Sequence, residues 1–246
     1  MSSHLEDSHL LMDRKSVRSV GRHGFAWLMA VAVGTVVVWH LPGGNYLLYP
    51  FTILATWFHE MAHGLAALLL GGHFRKLLIF SDGSGLASYS GPLFLDRIGR
   101  ALVAASGPLG PPVAGAGLII ASRNTRSASL CLKLLGAFLL ISTVVWVRSL
   151  FGCIAVPVIG LVILTVALKG SPRTQEFAVQ LLGVQACIST YRQLSYLFTY
   201  SAGPLGISDT AQIQQALWLP YWFWGALIAV SSFLILVMSL RLAYRS

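Results

Sequence analysis

The chain is short of charge, and shortest of acid. Of its 246 residues eight are Asp or Glu, and charged residues of both signs make up 10%, whereas soluble domains average about 25%. A water-soluble globule of this length is therefore not indicated. Cysteine is scarce as well. Cys131, Cys153 and Cys187 are odd in number, lie in apolar segments and lack C-x-x-C spacing, so they indicate neither a disulfide framework nor a thiolate metal site. There is no concentrated run of basic residues. The net charge of +9 is spread over the N-terminal tail and the loops, which suits anchoring at membrane surfaces, and no nucleic acid is expected as a partner. No internal repeat of the kind that marks transporters is found.

Apolar residues fill the space left by these absences: 56% of the chain, with a mean hydropathy of +0.73. The expected fold class is an α-helical polytopic membrane protein embedded in a lipid bilayer. A polar tail covers residues 1–23, with Glu6, Asp7 and Asp13 among Arg14, Lys15, Arg18 and Arg22, and residues 24–246 form one integral membrane domain. No small-residue cleavage site precedes Pro42-Gly43-Gly44, so the first apolar run reads as an uncleaved span.

Seven apolar segments follow one another at 24–41, 47–71, 98–121, 129–148, 150–169, 175–199 and 219–241, each near the length that crosses a bilayer. The sixth holds Glu176, Gln180, Gln185, Arg192 and Gln193 and is too polar to face lipid, so it is an inner helix that spans or only dips in. Six or seven transmembrane helices result. Arg14, Lys15, Arg18, Arg22, Arg75, Lys76, Arg97, Arg100 and Arg148 then outnumber the basic residues of the other side and place the N-terminus in the cytoplasm. In the third segment Ser106-Gly107-Pro108-Leu109-Gly110-Pro111-Pro112 allows close helix approach and predicts a helix break beside a cavity.

Within the second segment stands His59-Glu60-Met61-Ala62-His63, an H-E-x-x-H. Positions i and i+4 share a helix face, so His59 and His63 can hold one Zn²⁺ while Glu60 stands beside them as the base for water. Two imidazoles and a carboxylate are costly to bury in an apolar span, and their presence there points to function. Directly after this helix, His73–Phe80, a Ser81-Asp82-Gly83-Ser84-Gly85 turn and Leu86–Ser90 predict a small β-hairpin. Its open edge either holds an extended substrate segment or merely joins two helices.

A catalytic zinc wants a third protein ligand, and acids are few. Beyond the tail the chain has Asp82, Asp96, Glu176 and Asp209 besides Glu60. Asp82 suits a turn, Asp96 a charged loop and Glu176 a helix start. Asp209 remains the best candidate, although Ser208-Asp209 also reads as a helix N-cap. Arg148 and Asn45 are the candidates for stabilising an oxyanion, provided the fold brings them near.

With these residues in hand, the chain resembles the site-2 protease group of intramembrane zinc metalloproteases, in its compact bacterial M50B-like branch. The resemblance rests on His59 through Gly72, on Ser81–Gly85, on Ser106–Gly110, and on Ser208-Asp209 with Leu219-Pro220 and Trp224. It implies a zinc metalloendopeptidase of the bacterial inner membrane that cuts membrane-spanning segments of membrane-anchored proteins. His59 and His63 would be ligands and Glu60 the general base. One departure stands out. The branch carries Asn at the position of Ser189 and Asp at that of Gln193, which leaves three options: Asp209 as third ligand, Gln193 coordinating through its carbonyl, or a catalytically inactive protein of the same fold that binds a partner or metal.

Overall fold

In hydrocarbon a backbone must satisfy its own hydrogen bonds, and the apolar runs accordingly fold as helices. The computed structural model describes residues 28–203 and 206–244; the tail expected at 1–23 lies outside them. In chain order the elements are α1 (Leu28–His40), α2 (Gly44–Leu69), β1 (His73–Ile79), β2 (Gly85–Ser90), α3 (Arg97–Ala121), α4 (Thr125–Val145), α5 (Leu150–Lys169), α6 (Pro172–Arg192), α7 (Leu194–Leu197), α8 (Asp209–Leu217) and α9 (Tyr221–Tyr244).

Four of these, α3, α4, α5 and α9, are long and apolar enough to cross a membrane by length and composition. The expected six or seven are not all of that kind. As described, α1 is short, while α2 and α6, with 26 and 21 residues, have the length but carry the site residues and a series of glutamines. Gln175, Gln180 and Gln185 of α6 are buried, as an inner helix requires. Gln175 donates to the carbonyls of Ala167 and Gly170, and Gln185 donates to Thr35. The crossing of α6 with α3 is set by two glycines: a β-carbon on Gly115 would stand 2.7 Å from the Gly183 carbonyl oxygen, so backbones meet there as small-residue interfaces allow.

The Gly/Pro stretch does not break α3. Pro108, Pro111 and Pro112 lie inside a continuous helix. The stretch serves approach instead, because it is the part of α3 pressed against α2. A β-carbon on Gly110 would come within 2.8 Å of the Phe58 carbonyl oxygen.

The hairpin forms where expected and turns back along α2. Tyr49 donates from its hydroxyl to the Ser81 carbonyl and Thr56 to that of Gly83, so the turn reaches the first half of the helix that it follows. It is a wall of the bundle and not a surface connection. At its tip the Ser84 hydroxyl and amide both donate to the Asp82 carboxylate and hold that carboxyl below its usual pKa.

The outer edge of β1 is also taken. Leu77 N–H donates to Trp146, Arg148 N–H donates to Leu77, and Ser149 Oγ accepts from Ile79 N–H and donates to Ile79 C=O. This extended stretch is the break between α4 and α5 that the sequence barely marks. β2 is thus the open edge of a two-stranded antiparallel sheet. Around the hairpin and α2 lies the largest core, with Trp57, Leu77, Ile79, Leu132 and Leu139 fully buried. Trp57 keeps its indole N–H satisfied by Ser142 at 3.0 Å.

Candidate active site

His59 is the sixteenth residue of α2, about 22 Å along a helix of about 39 Å, and lies near mid-span. The helical spacing puts His63 one turn on, with Nε2 of the two rings 3.2 Å apart. The third member arrives from far along the chain. Ser208 caps α8, its Oγ accepting from Ala211 N–H, and this leaves Asp209, the first residue of the helix, free to face the histidines. Its Oδ2 lies 3.0 Å from His59 Nε2 and its Oδ1 3.3 Å from His63 Nε2. Capping and ligand geometry, which compete in the sequence, are divided between two neighbouring residues.

The donor set fits a zinc ion. Tetrahedral coordination with bonds of about 2.0–2.1 Å separates adjacent donors by about 3.3 Å, and the three distances found are 3.0, 3.2 and 3.3 Å. The tautomer fits as well. His63 Nδ1–H donates to the Val103 carbonyl at 2.7 Å, which leaves the Nε2 lone pair facing a second imidazole and a carboxylate. Lone pairs converging in this way call for a shared cation. His59, His63 and Asp209 form a group able to hold a metal ion, and all three are almost wholly buried.

Neighbouring groups hold these three side chains in place. A β-carbon on Gly107 would stand 2.1 Å from His63 Nε2 and 2.8 Å from His59 Nε2, so α3 can pass the imidazoles only as glycine. The Tyr196 hydroxyl donates to Asp209 Oδ2 at 3.2 Å and accepts from the Asp209 amide at 3.3 Å. Glu60, 8% exposed, points to the other side, where its Oε2 accepts from the Ala87 amide of β2 at 2.6 Å.

A cavity of about 490 Å³ joins these parts, lined by Glu60, the three ligand candidates, the 82–87 stretch of the hairpin, Tyr89, Gln193 and Tyr196. Asp82, in the turn, and Gln193 also border it. Asp96 pairs with Arg100, and Glu176 meets Thr125, both away from the cavity. The two oxyanion candidates are not brought in. Arg148 donates to the carbonyls of Val144, Val145 and Val147, and Asn45 accepts from Arg192. Tyr196, the Val103 carbonyl and the Ala87 amide are the parts that sequence reasoning missed. Two are backbone groups and one is an unremarkable tyrosine in an aromatic-rich chain; Gly107 did stand in a marked Gly/Pro stretch, but for a different reason.

A helix carrying H-E-x-x-H and a distant carboxylate thus form a three-donor group able to hold a metal ion, within an apolar helical surround. The chain belongs to the Peptidase M50B-like family, whose sequence profile matches residues 28–239. No curated protein and no solved structure matches it. It is a membrane protein of a peptidase family.

Proposed function

We propose that this chain is a zinc-dependent intramembrane endopeptidase that hydrolyses a peptide bond in or near a membrane-spanning segment of another, membrane-anchored protein. The observation that carries the reading is the joint placement of the His59–His63–Asp209 group, Glu60 and the open edge of β2 around one cavity. Zinc held by the three ligands would supply Lewis acidity and a water of lowered pKa. The remaining work belongs to the chain itself. Glu60 takes a proton from the attacking water and returns it to the leaving amine. Tyr196 and the Val103 carbonyl keep Asp209 and His63 oriented. β2 holds the substrate as an extended segment by main-chain hydrogen bonds, which require no particular side chains; a spanning helix must unwind there first, since a helix hides its carbonyls. The six or seven spans, a cytoplasmic N-terminus and residence in a bacterial inner membrane belong to the same proposal.

The test is Glu60→Gln in purified, lipid-reconstituted protein. A membrane-anchored reporter should be cut at a rate lowered about 10²- to 10⁴-fold, with one zinc per chain retained. Equal cleavage by the variant, or a wild type that holds no stoichiometric zinc, would overturn the reading.

A further inference from the structure

The catalytic candidate Glu60 and the substrate-facing strand are joined by one hydrogen bond, and its direction follows from the sheet. Leu77 turns its N–H and C=O away from β2, towards Trp146 and Arg148. Its cross-strand partner is Ala87, which in an antiparallel ladder must then turn its own N–H and C=O to the outer edge. The outward N–H of Ala87 is the one that Glu60 accepts. Both groups line the same cavity, and the outward amide gives the carboxylate a charge-assisted donor on the strand itself.

Space has been cleared for the contact. A β-carbon on Gly85 would stand 2.7 Å from Glu60 Cγ and 2.7 Å from Thr56 Cγ2, so the side chain of Glu60 lies against the strand where β2 has no side chain of its own. A glutamate has several rotatable bonds and would otherwise sample many positions. Here one oxygen is committed to β2 and the other is left to the reaction.

We propose that the Ala87 amide is a positioning donor for Glu60, locking the base to the strand that receives substrate so that base and scissile peptide are aligned by the same element. The proposal rests on the peptidase reading and deepens it. Strand and base form one unit. A shift of the hairpin moves Glu60 relative to the ligands, whereas the ligands themselves, held from α2, α3 and α8, stay in place.

Replacing residue 87 by the α-hydroxy analogue of alanine turns its amide into an ester and removes that N–H while keeping the side chain. Ala87→Pro removes the same donor genetically, at an outward edge position where proline leaves the ladder bonds intact. Both should retain one zinc per chain and lower kcat on the order of tenfold or more with KM little changed. In a Glu60→Gln background the ester should cost no more than about twofold, because the group it positions is already gone. A merely structural role would add its full effect in that background. Should the proline variant fail to fold, the ester decides. Unchanged kcat in the ester, or an equal loss with and without Glu60, overturns the proposal.

A second readout needs no activity. Hydrogen exchange of the Ala87 amide in the zinc-loaded protein should quicken at least tenfold in Glu60→Ala. If it does not, the contact is absent and the proposal falls even where cleavage is observed. If it does quicken while wild type cuts nothing, the peptidase reading fails and the contact stands as structure only.

Discussion

Gly107 has no side chain, and the two imidazoles use the room that one would fill. Gly107→Ala should therefore lower zinc content from one per chain towards zero while leaving helical content unchanged, measured by metal analysis and circular dichroism of the same sample. A β-carbon 2.1 Å from His63 Nε2 cannot be absorbed by a ring already tied to Val103. Tyr196→Phe removes only a hydroxyl, and a milder effect follows. Loss of an outer hydrogen bond to a metal ligand weakens affinity about 10- to 100-fold, which competition with a chromogenic chelator would read. Of these residues, only the H-E-x-x-H was fully legible beforehand, because its spacing is itself the helix geometry. Asp209 could be narrowed down only because acids are so few, and its rival duty as a cap turned out to be performed by Ser208. Nothing in a sequence tells which backbone amide a glutamate will meet, so the Ala87 contact was out of reach.

At the scale of elements the hairpin shows what a local pattern contains and what it omits. Two short segments joined by a Gly-rich turn suffice to expect strands over 73–80 and 86–90, and strands form at His73–Ile79 and Gly85–Ser90. They are silent on where the pair lies, since that depends on long-range partners: Tyr49 and Thr56 on one side, the Trp146–Ser149 stretch on the other. For the same reason the prolines of α3 were misread. A helix interior normally rejects proline, yet here α3 continues as helix through Pro108, Pro111 and Pro112. Ser149 gives a test at this scale. Its hydroxyl serves both the N–H and the C=O of Ile79, and leaving these unpaired costs about 1–3 kcal/mol. Ser149→Ala should lower the thermal midpoint of the detergent-solubilised protein without altering its zinc content.

For the molecule as a whole, the division between wet interior and lipid face can be mapped. Ala202 lines the cavity, whereas Val162, on the strongly apolar α5, is exposed on the outside of the bundle. In a cysteine-free background, needed because Cys153 is itself exposed, a cysteine at 202 should react with a membrane-impermeant thiol reagent in open membranes. A cysteine at 162 should stay unlabelled. Equal labelling of both would mean that α5 does not face lipid. Composition alone had announced the membrane, because 10% charge leaves no other solvent for the surface. The number of crossings was harder to read. α2 owes its polarity to the site residues it carries and α6 to buried glutamines that bond within the bundle, and a hydropathy average cannot distinguish a polar interior from an exposed flank.

The three candidate ligands come from stretches of chain separated by most of its length, His59 and His63 about a quarter of the way along and Asp209 near the end. An ion seated among them is a staple as much as a reagent: it fastens α8 to α2 across everything folded in between. Thermal resistance should then track the concentration of free zinc, rising by about 4 kcal/mol at a thousandfold excess over the dissociation constant. Stripping by a chelator would loosen the end of the bundle that carries α8 before it disturbed α4 and α5.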